Sequence, residues 1–323
     1  MLPVPRPLLT VLACLTLACL YPATAAAQAP TYLTQWSTGI GFTGIATDAA
    51  GDVYITGSYG AQVFKYTGTG SLLTQWHTLW APDEYLGGPT AIATDASGVV
   101  YVADQVVGVR NFTGTGGYLG GFGSQGSGVG QFYFPLGIAV DALGDIYVAD
   151  TYNNRVQKFT NAGIPITQWG TPGSGDGQFN EPGGVAVNSS GDVFVSDSRN
   201  NRIQKFTASG AYLAQWGSAG ADSSGGGRLN HPFGLAFDSV GNLHVADTGN
   251  HRIQEFTPNG AYVLTWGSFG TGNGQFDSPF AVATDSFGNV YVVDAHNNRI
   301  QKFASLLTPT KRASWGSLKR LYR

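Results

Sequence analysis

Along most of this chain, apolar and polar residues alternate in short runs separated by turn-forming clusters. The stretch from Pro135 to Gly170, PLGIAVDALGDIYVADTYNNRVQKFTNAGIPITQWG, shows the pattern most plainly. Four runs stand out, at residues 137–140, 145–149, 155–159 and 164–169. Their period of two is that of a strand with unlike faces. Between them lie Asp141-Ala-Leu-Gly144, Asp150-Thr-Tyr-Asn-Asn154 and Asn161-Ala-Gly163, rich in residues that tolerate positive φ or hydrogen-bond their own backbone. The stretch predicts a four-stranded antiparallel meander.

Near-copies recur along the chain. Aligned on the residue that ends the first strand, they fall at Asp48, Asp95, Asp141, Asn188, Asp238 and Asp285, between 46 and 50 residues apart. A small sheet of this kind is apolar on both faces and cannot bury them alone, so such a period implies stacking on neighbours. Four strands per unit favour radial stacking, and the expected fold is all-β, a six-bladed β-propeller of four-stranded antiparallel blades. The sixth unit, Pro279 to Phe303, lacks its fourth strand. Tyr32-Leu-Thr-Gln-Trp36 matches Tyr212-Leu-Ala-Gln-Trp216, so residues 31–37 are expected to close the last blade and remove the open edges.

The pattern P-x-G-[ILV]-A-x-[DN]-x-x-G-[DN]-[ILV]-[YFH]-V-x-D followed by N-x-R-[IV]-Q-x-F resembles the NHL repeat. The resemblance covers residues 31–303 and implies a six-bladed propeller. It leaves function open, because unrelated activities share such scaffolds.

Residues 1–27 carry a single charge, Arg6, then the apolar run Leu8 to Leu20 and a small-residue end at Ala23-Thr-Ala-Ala-Ala27. This is the layout of a secretory signal peptide, which makes a secreted, periplasmic or envelope protein the expectation. Both cysteines, Cys14 and Cys19, lie inside it, and a lipid anchor at Cys19 is a minor alternative. Cleavage after Ala27 leaves no cysteine and no disulfide requirement. Of the 17 basic residues, six lie in the leader or the tail and all 20 acidic ones lie between, so the repeat body carries a formal −9. Some propellers of the resembled family bind RNA through a basic face. This body would repel phosphates, and no nucleic-acid partner is expected. The tail, residues 304–323, holds five cations and no acid. A contact of the tail with an anionic surface competes with plain chain-end disorder. A monomer is expected.

Residues kept in every copy are read as architecture, and residues that differ as candidates for binding. The turn pairs Asp150/Arg155, Asp197/Arg202, Asp247/Arg252 and Asp294/Arg299 are read as structural, facing across a hairpin. As exposed ion pairs they would contribute only ~0–1 kcal/mol each. Asn153-Asn154, Asn200-Asn201 and Asn297-Asn298 are expected in left-handed conformations. Trp76, Phe122, Trp169, Trp216 and Trp266 are read as packing between blades. The connectors GSQGSGVGQF, GTPGSGDGQF and GSFGTGNGQF lack the Gly-Lys-Ser/Thr ending of a phosphate cradle, and no cofactor is expected.

The turn between strands two and three and the connector between blades must emerge on one side. That loop face presents Tyr152, Arg199, His251, His296, Trp80, Tyr85, Arg228 and His231 as candidate binding residues. Among the five histidines, His251 and His296 stand on adjacent blades, but no metal set, clustered carboxylates or nucleophile with an adjacent base is evident. The better-supported expectation is a non-catalytic scaffold binding an extracellular or envelope peptide, protein or glycan. The alternative is a metal-dependent propeller enzyme, similar to the peptidyl-hydroxyglycine lyases or lactonases.

Overall fold

The computed structural model describes residues 28–37, 41–57, 61–77, 86–217 and 226–304. The leader, the tail beyond Ala304, and Trp80 and Tyr85 fall outside these residues. Six four-stranded antiparallel sheets make up the fold. Blade 3, for example, takes Pro135–Val140, Ile146–Asp150, Arg155–Phe159 and Pro165–Trp169. Each boundary lies within two residues of the run seen in the sequence. The first strands of the other blades are Phe42–Thr47 in blade 1, Pro89–Thr94 in blade 2, Pro182–Val187 in blade 4, Pro232–Phe237 in blade 5 and Pro279–Thr284 in blade 6. All six touch their neighbours in a closed ring, which makes them the inner strands.

Blade 6 is completed from the other end of the chain. Thr31–Ser37 pairs antiparallel with Arg299–Ala304, placing Trp36 opposite Ile300. The outer-strand aromatic of each of five blades covers a glycine in the last turn of the following blade. Trp36 lies over Gly70, Trp76 over Gly116, Phe122 over Gly163, Trp169 over Gly210 and Trp216 over Gly260. Gly70 has φ +90°, and a Cβ there would fall 2.7 Å from the Trp36 ring. Both the backbone conformation and the close approach therefore require glycine. Trp36 also packs on Tyr66 and Tyr291, so blades 6 and 1 share one aromatic core.

Asp-x-x-Gly turns, with Asn188 in place of the aspartate in blade 4, close the first hairpin of each blade. In blade 3 the Gly144 amide donates to the Asp141 carbonyl at 3.0 Å with Gly144 at φ +85°. The Asp141 carboxylate accepts from the amides of Leu143 and Asp145, both at 2.9 Å. A type I turn followed by a glycine bulge matches the twist of the strands it joins. Inner strands are also tied laterally: the Thr47 hydroxyl donates to the Thr284 carbonyl, and the Thr94 hydroxyl to the Thr47 carbonyl, each at 2.7 Å.

Deleting residues 31–37 strips the outer strand from blade 6, and a clear fall in melting temperature by calorimetry is expected. Trp36→Ala should lower unfolding free energy in urea by about 3 kcal/mol. A melting curve unchanged by the deletion contradicts closure through this strand.

Candidate functional site

The loop face is built by the turns between second and third strands, each folded against the connector entering its own blade. The amide of Tyr152 donates to the Tyr133 carbonyl at 3.0 Å, that of Arg199 to Asn180 at 3.1 Å, and that of His296 to Asp277 at 3.2 Å. A buried network fixes this contact. In blade 3 Asp150 is fully buried and its Oδ2 accepts from Arg155 Nε at 2.7 Å and from Gln157 Nε2 at 3.1 Å. Its Oδ1 accepts from the Tyr133 amide at 2.7 Å. Arg155 also donates to the carbonyls of Gly128 and Gln131, and Gln157 accepts from the Gly130 amide. Blades 4 and 6 repeat the arrangement through Asp197, Arg202 and Gln204 and through Asp294, Arg299 and Gln301.

This corrects two expectations. The Asp–Arg pairs are buried rather than exposed, the arginines being 8–9% accessible, so the small surface value does not describe them. Of each Asn-Asn pair only the second residue is left-handed, Asn154 at φ 54° and Asn201 at 55°. The first donates its amide to the buried aspartate, as Asn153 does to Asp150 at 2.9 Å. The glutamine of N-x-R-[IV]-Q-x-F was overlooked as a member of the network, although its repetition was visible. In the connectors, the amides of Gly128 and Gly130 are already taken by Gln131 and Gln157, which leaves them committed to the fold.

The candidate binding residues stand along an arc from blade 3 to blade 6. Tyr152, 44% exposed, packs against Tyr133 and Phe134 with ring centroids at 5.2 and 5.0 Å. Arg199 Nε pairs with Glu181 Oε2 at 2.6 Å. The imidazoles of His251 and His296 flank Asp277 Oδ1 at 3.5 and 3.3 Å. His251 Nδ1 already accepts the Ser278 amide at 3.0 Å. His231 Nδ1 lies 2.8 Å from Asn230 Oδ1, and the Arg228 carbonyl receives a hydrogen bond from Arg252 at 2.8 Å. These groups do not converge on one pocket. Among the described residues, no group of three or more His, Cys, Asp or Glu is placed to hold a metal.

A feature missed in the sequence links them. The residue before the first-strand proline is Phe134, Glu181, His231 and Ser278 in blades 3 to 6, all at φ between +47° and +55°. Positive φ is strained for a side chain and free for glycine. The Glu181 and His231 amides are held by Asn154 and Asn201 of the preceding blade, at 2.9 and 2.8 Å. Only the variation of the residue before Pro between copies could have signalled this arc. Inside it, Phe233 and Phe280 stack at 4.4 Å. The axis itself is almost filled: its cavity holds about 60 Å³ and is lined by Ile45, Ile92, Ile138, Val185, Leu235 and Val282, one per blade.

The opposite, hairpin face departs from its repeat in blade 5. In blade 3 Asp141, Tyr147 and Lys158 cluster there, with the Tyr147 hydroxyl donating to Asp141 at 3.0 Å. Blade 5 substitutes His244 for the tyrosine and Glu255 for the lysine, cross-strand neighbours beside Asp238. His244 is fully buried, its Nε2 3.4 Å from Asp238 Oδ2. Burial pushes the Asp238 carboxyl up, but the His244 imidazole and the Asn242 and Val240 amides outweigh it and hold the group below the usual range. Burial pushes Glu255 up by more than the His244 imidazole lowers it, and the Asp238 carboxylate adds to the rise.

This fold, six four-stranded blades closed around a filled axis, is a six-bladed β-propeller. The chain carries NHL repeats, matched at residues 132–159, 179–206 and 229–256. No curated protein matches it in sequence. In structure it is similar to a protein of unknown function from Bacteroides thetaiotaomicron, at 17% identity over 86% of this chain and 74% of that one, TM-score 0.67. It is also similar to virginiamycin B lyase from Staphylococcus aureus, at 18% identity over 84% and 87% of the two chains, TM-score 0.58. An auxiliary nutrient binding protein from Bacteroides thetaiotaomicron matches at 13% identity over 83% and 69%, TM-score 0.61. At these identities the likeness is one of fold.

Two outcomes are expected. Asp197→Ala leaves Arg202 buried without its carboxylate and should cost about 3–5 kcal/mol in urea unfolding. Glu255→Gln tests the hairpin-face cluster. Because the folded state raises the Glu255 pKa, its contribution favours folding at acidic pH and is lost as pH rises through the folded value. The variant should therefore be more stable than the parent at pH 7, with the difference vanishing in acid, as read by thermal melting across pH.

Proposed function

We propose that the protein is an exported, non-catalytic binding scaffold whose loop face holds an extended peptide, protein segment or glycan across the arc from Tyr152 to His296. The observation that carries this reading is the set of side chains kept at strained positive φ around the axis mouth, Phe134, Glu181, His231 and Ser278. Such strain costs roughly 1–2 kcal/mol per residue and would be relieved by glycine. A binding role accounts for retaining side chains there.

The chemistry of the arc suits a long ligand. Tyr133, Phe134 and Tyr152 offer an aromatic platform at one end, the Arg199–Glu181 pair a polar middle, and His251, Asp277 and His296 hydrogen-bonding groups at the other. Aromatic surface supplies contact area, and flanking polar groups fix register. A nearly filled axis lined by aliphatic side chains leaves little room for a small substrate at the centre of the ring. Similarity in fold to a nutrient-binding protein is compatible with a scaffold role. The leader at residues 1–27 supports export, and the basic tail an additional contact with anionic surfaces.

Labelled full-length protein probed against a glycan array and a displayed peptide library should yield a ligand class. Its affinity should fall at least tenfold in Tyr152→Ala. Glu181→Gly and His231→Gly should each weaken binding while raising stability by up to about 1 kcal/mol. Binding indifferent to all three substitutions would refute the loop-face assignment.

A further inference from the structure

On the hairpin face, the junction between blades 4 and 5 lacks the cross-blade hydrogen bonds found at two other junctions. At the junction of blades 1 and 2 the Tyr54 hydroxyl donates to the Gly114 carbonyl of the next blade at 3.3 Å. Between blades 6 and 1, Lys302 Nζ donates to the Gly68 carbonyl at 2.9 Å. Blade 4 has Phe194 in place of the tyrosine, and its Lys205 turns back to Asp192 at 2.8 Å. Blade 5 has Pro258 where the glycines stand. Between the turns of the two blades lies a cavity of about 580 Å³ bounded by Asn188, Asp192, Lys205, Asp238, Ser239 and Pro258.

We infer that this cavity is a second binding site, separate from the loop face, for a small neutral saccharide. Its size falls in the range of roughly 300–1,000 Å³ typical of small-molecule sites. On its wall Lys205 is paired with Asp192, and Asp238 faces the buried His244 at 3.4 Å. An ionic ligand would have to displace the Lys205–Asp192 pair. A ligand carrying many hydroxyls would instead exchange hydrogen bonds with the carboxylates, the Asn188 amide and the Ser239 hydroxyl at little electrostatic cost. Val240, 66% exposed at the rim, and Pro258 offer an apolar surface for the C–H face of a sugar ring.

The test titrates the full-length protein with glucose, galactose, mannose, N-acetylglucosamine, maltose and cellobiose, alongside inorganic phosphate and glycine betaine as charged controls. Amide shifts and calorimetry are the readouts. At least one sugar is expected to bind at millimolar concentration or tighter and to move the amides of Ser190, Ser239 and Val240. Ser239→Trp, at an exposed turn position, should weaken it at least tenfold with an unchanged melting temperature. Phe194→Tyr, which places a hydroxyl beside Asn188 and Lys205, should weaken it without unfolding the blade. Binding by no sugar, shifts confined to the loop face, occupancy by phosphate or betaine instead, or undiminished affinity in both folded variants would each overturn the inference. Because the shift map needs only the parent protein, the result stands even where a variant fails to fold.

Discussion

Everything in this molecule rests on closure of a ring. Each sheet is apolar on both faces, and the clusters that bury those faces are shared between neighbours: Ala91, Ala103 and Val109 of blade 2 pack with Ile138, Val148 and Phe159 of blade 3. A linear stack would leave two faces bare. Recruiting Thr31–Ser37 into blade 6 ties the beginning of the propeller to its end, so the last sheet gains its full width, and Trp36 carries the joint onto blade 1. Separating the blades then means breaking the seam and exposing two apolar faces together, which makes opening cooperative rather than sequential.

A closed ring fixes the strands but not the loops above them, and the loops are fixed by buried charge. The carboxylates of Asp150, Asp197, Asp247 and Asp294 are withdrawn from water and each is met by an arginine and a glutamine. Desolvation on this scale is tolerable only when the partners saturate the oxygens, and the connector amides complete the set. The network thereby holds the Gly-rich connectors, which have little intrinsic preference for any one path. Exposed side chains such as Tyr152 and Arg199 therefore stand on rigid supports, and a rigid face loses less entropy on meeting a ligand.

Architecture was legible because it is written six times. The period, the hairpin turns and the missing strand of the last unit all follow from residues that recur, and the structure places them as expected. Depth of burial was not legible: Asp150 and Arg155 flank a turn in sequence, and nothing local shows that a connector will fold over them. The strained residues before the first-strand prolines were hidden for another reason. Phe134, Glu181, His231 and Ser278 share no chemistry, only a backbone angle. His244 was visible as one of five histidines, yet its surroundings depend on Glu255 replacing a lysine directly opposite on the adjacent strand, a pairing set by the sheet.

Departure from the repeat carries different weight on the two faces. On the loop face, variation falls on side chains while the supporting network persists in blades 3 to 6, so the scaffold is constant and its display changes. On the hairpin face, variation falls on the supports: Phe194 lacks the hydroxyl by which Tyr147 meets its aspartate, and His244 with Glu255 replaces the tyrosine and lysine found in blade 3. A buried histidine between two carboxylates is a less economical way to stabilise a sheet than a tyrosine bonded to one aspartate, since burial opposes every charge it contains. Both departures meet at one junction, where Lys205 of blade 4 and Asp238 of blade 5 line the two sides of the gap. Blade 2 also departs, with Asn111 at the lysine position, but blades 4 and 5 are the adjacent pair in which the tyrosine itself is replaced, so the loss of the supporting hydroxyl is concentrated at the boundary they share.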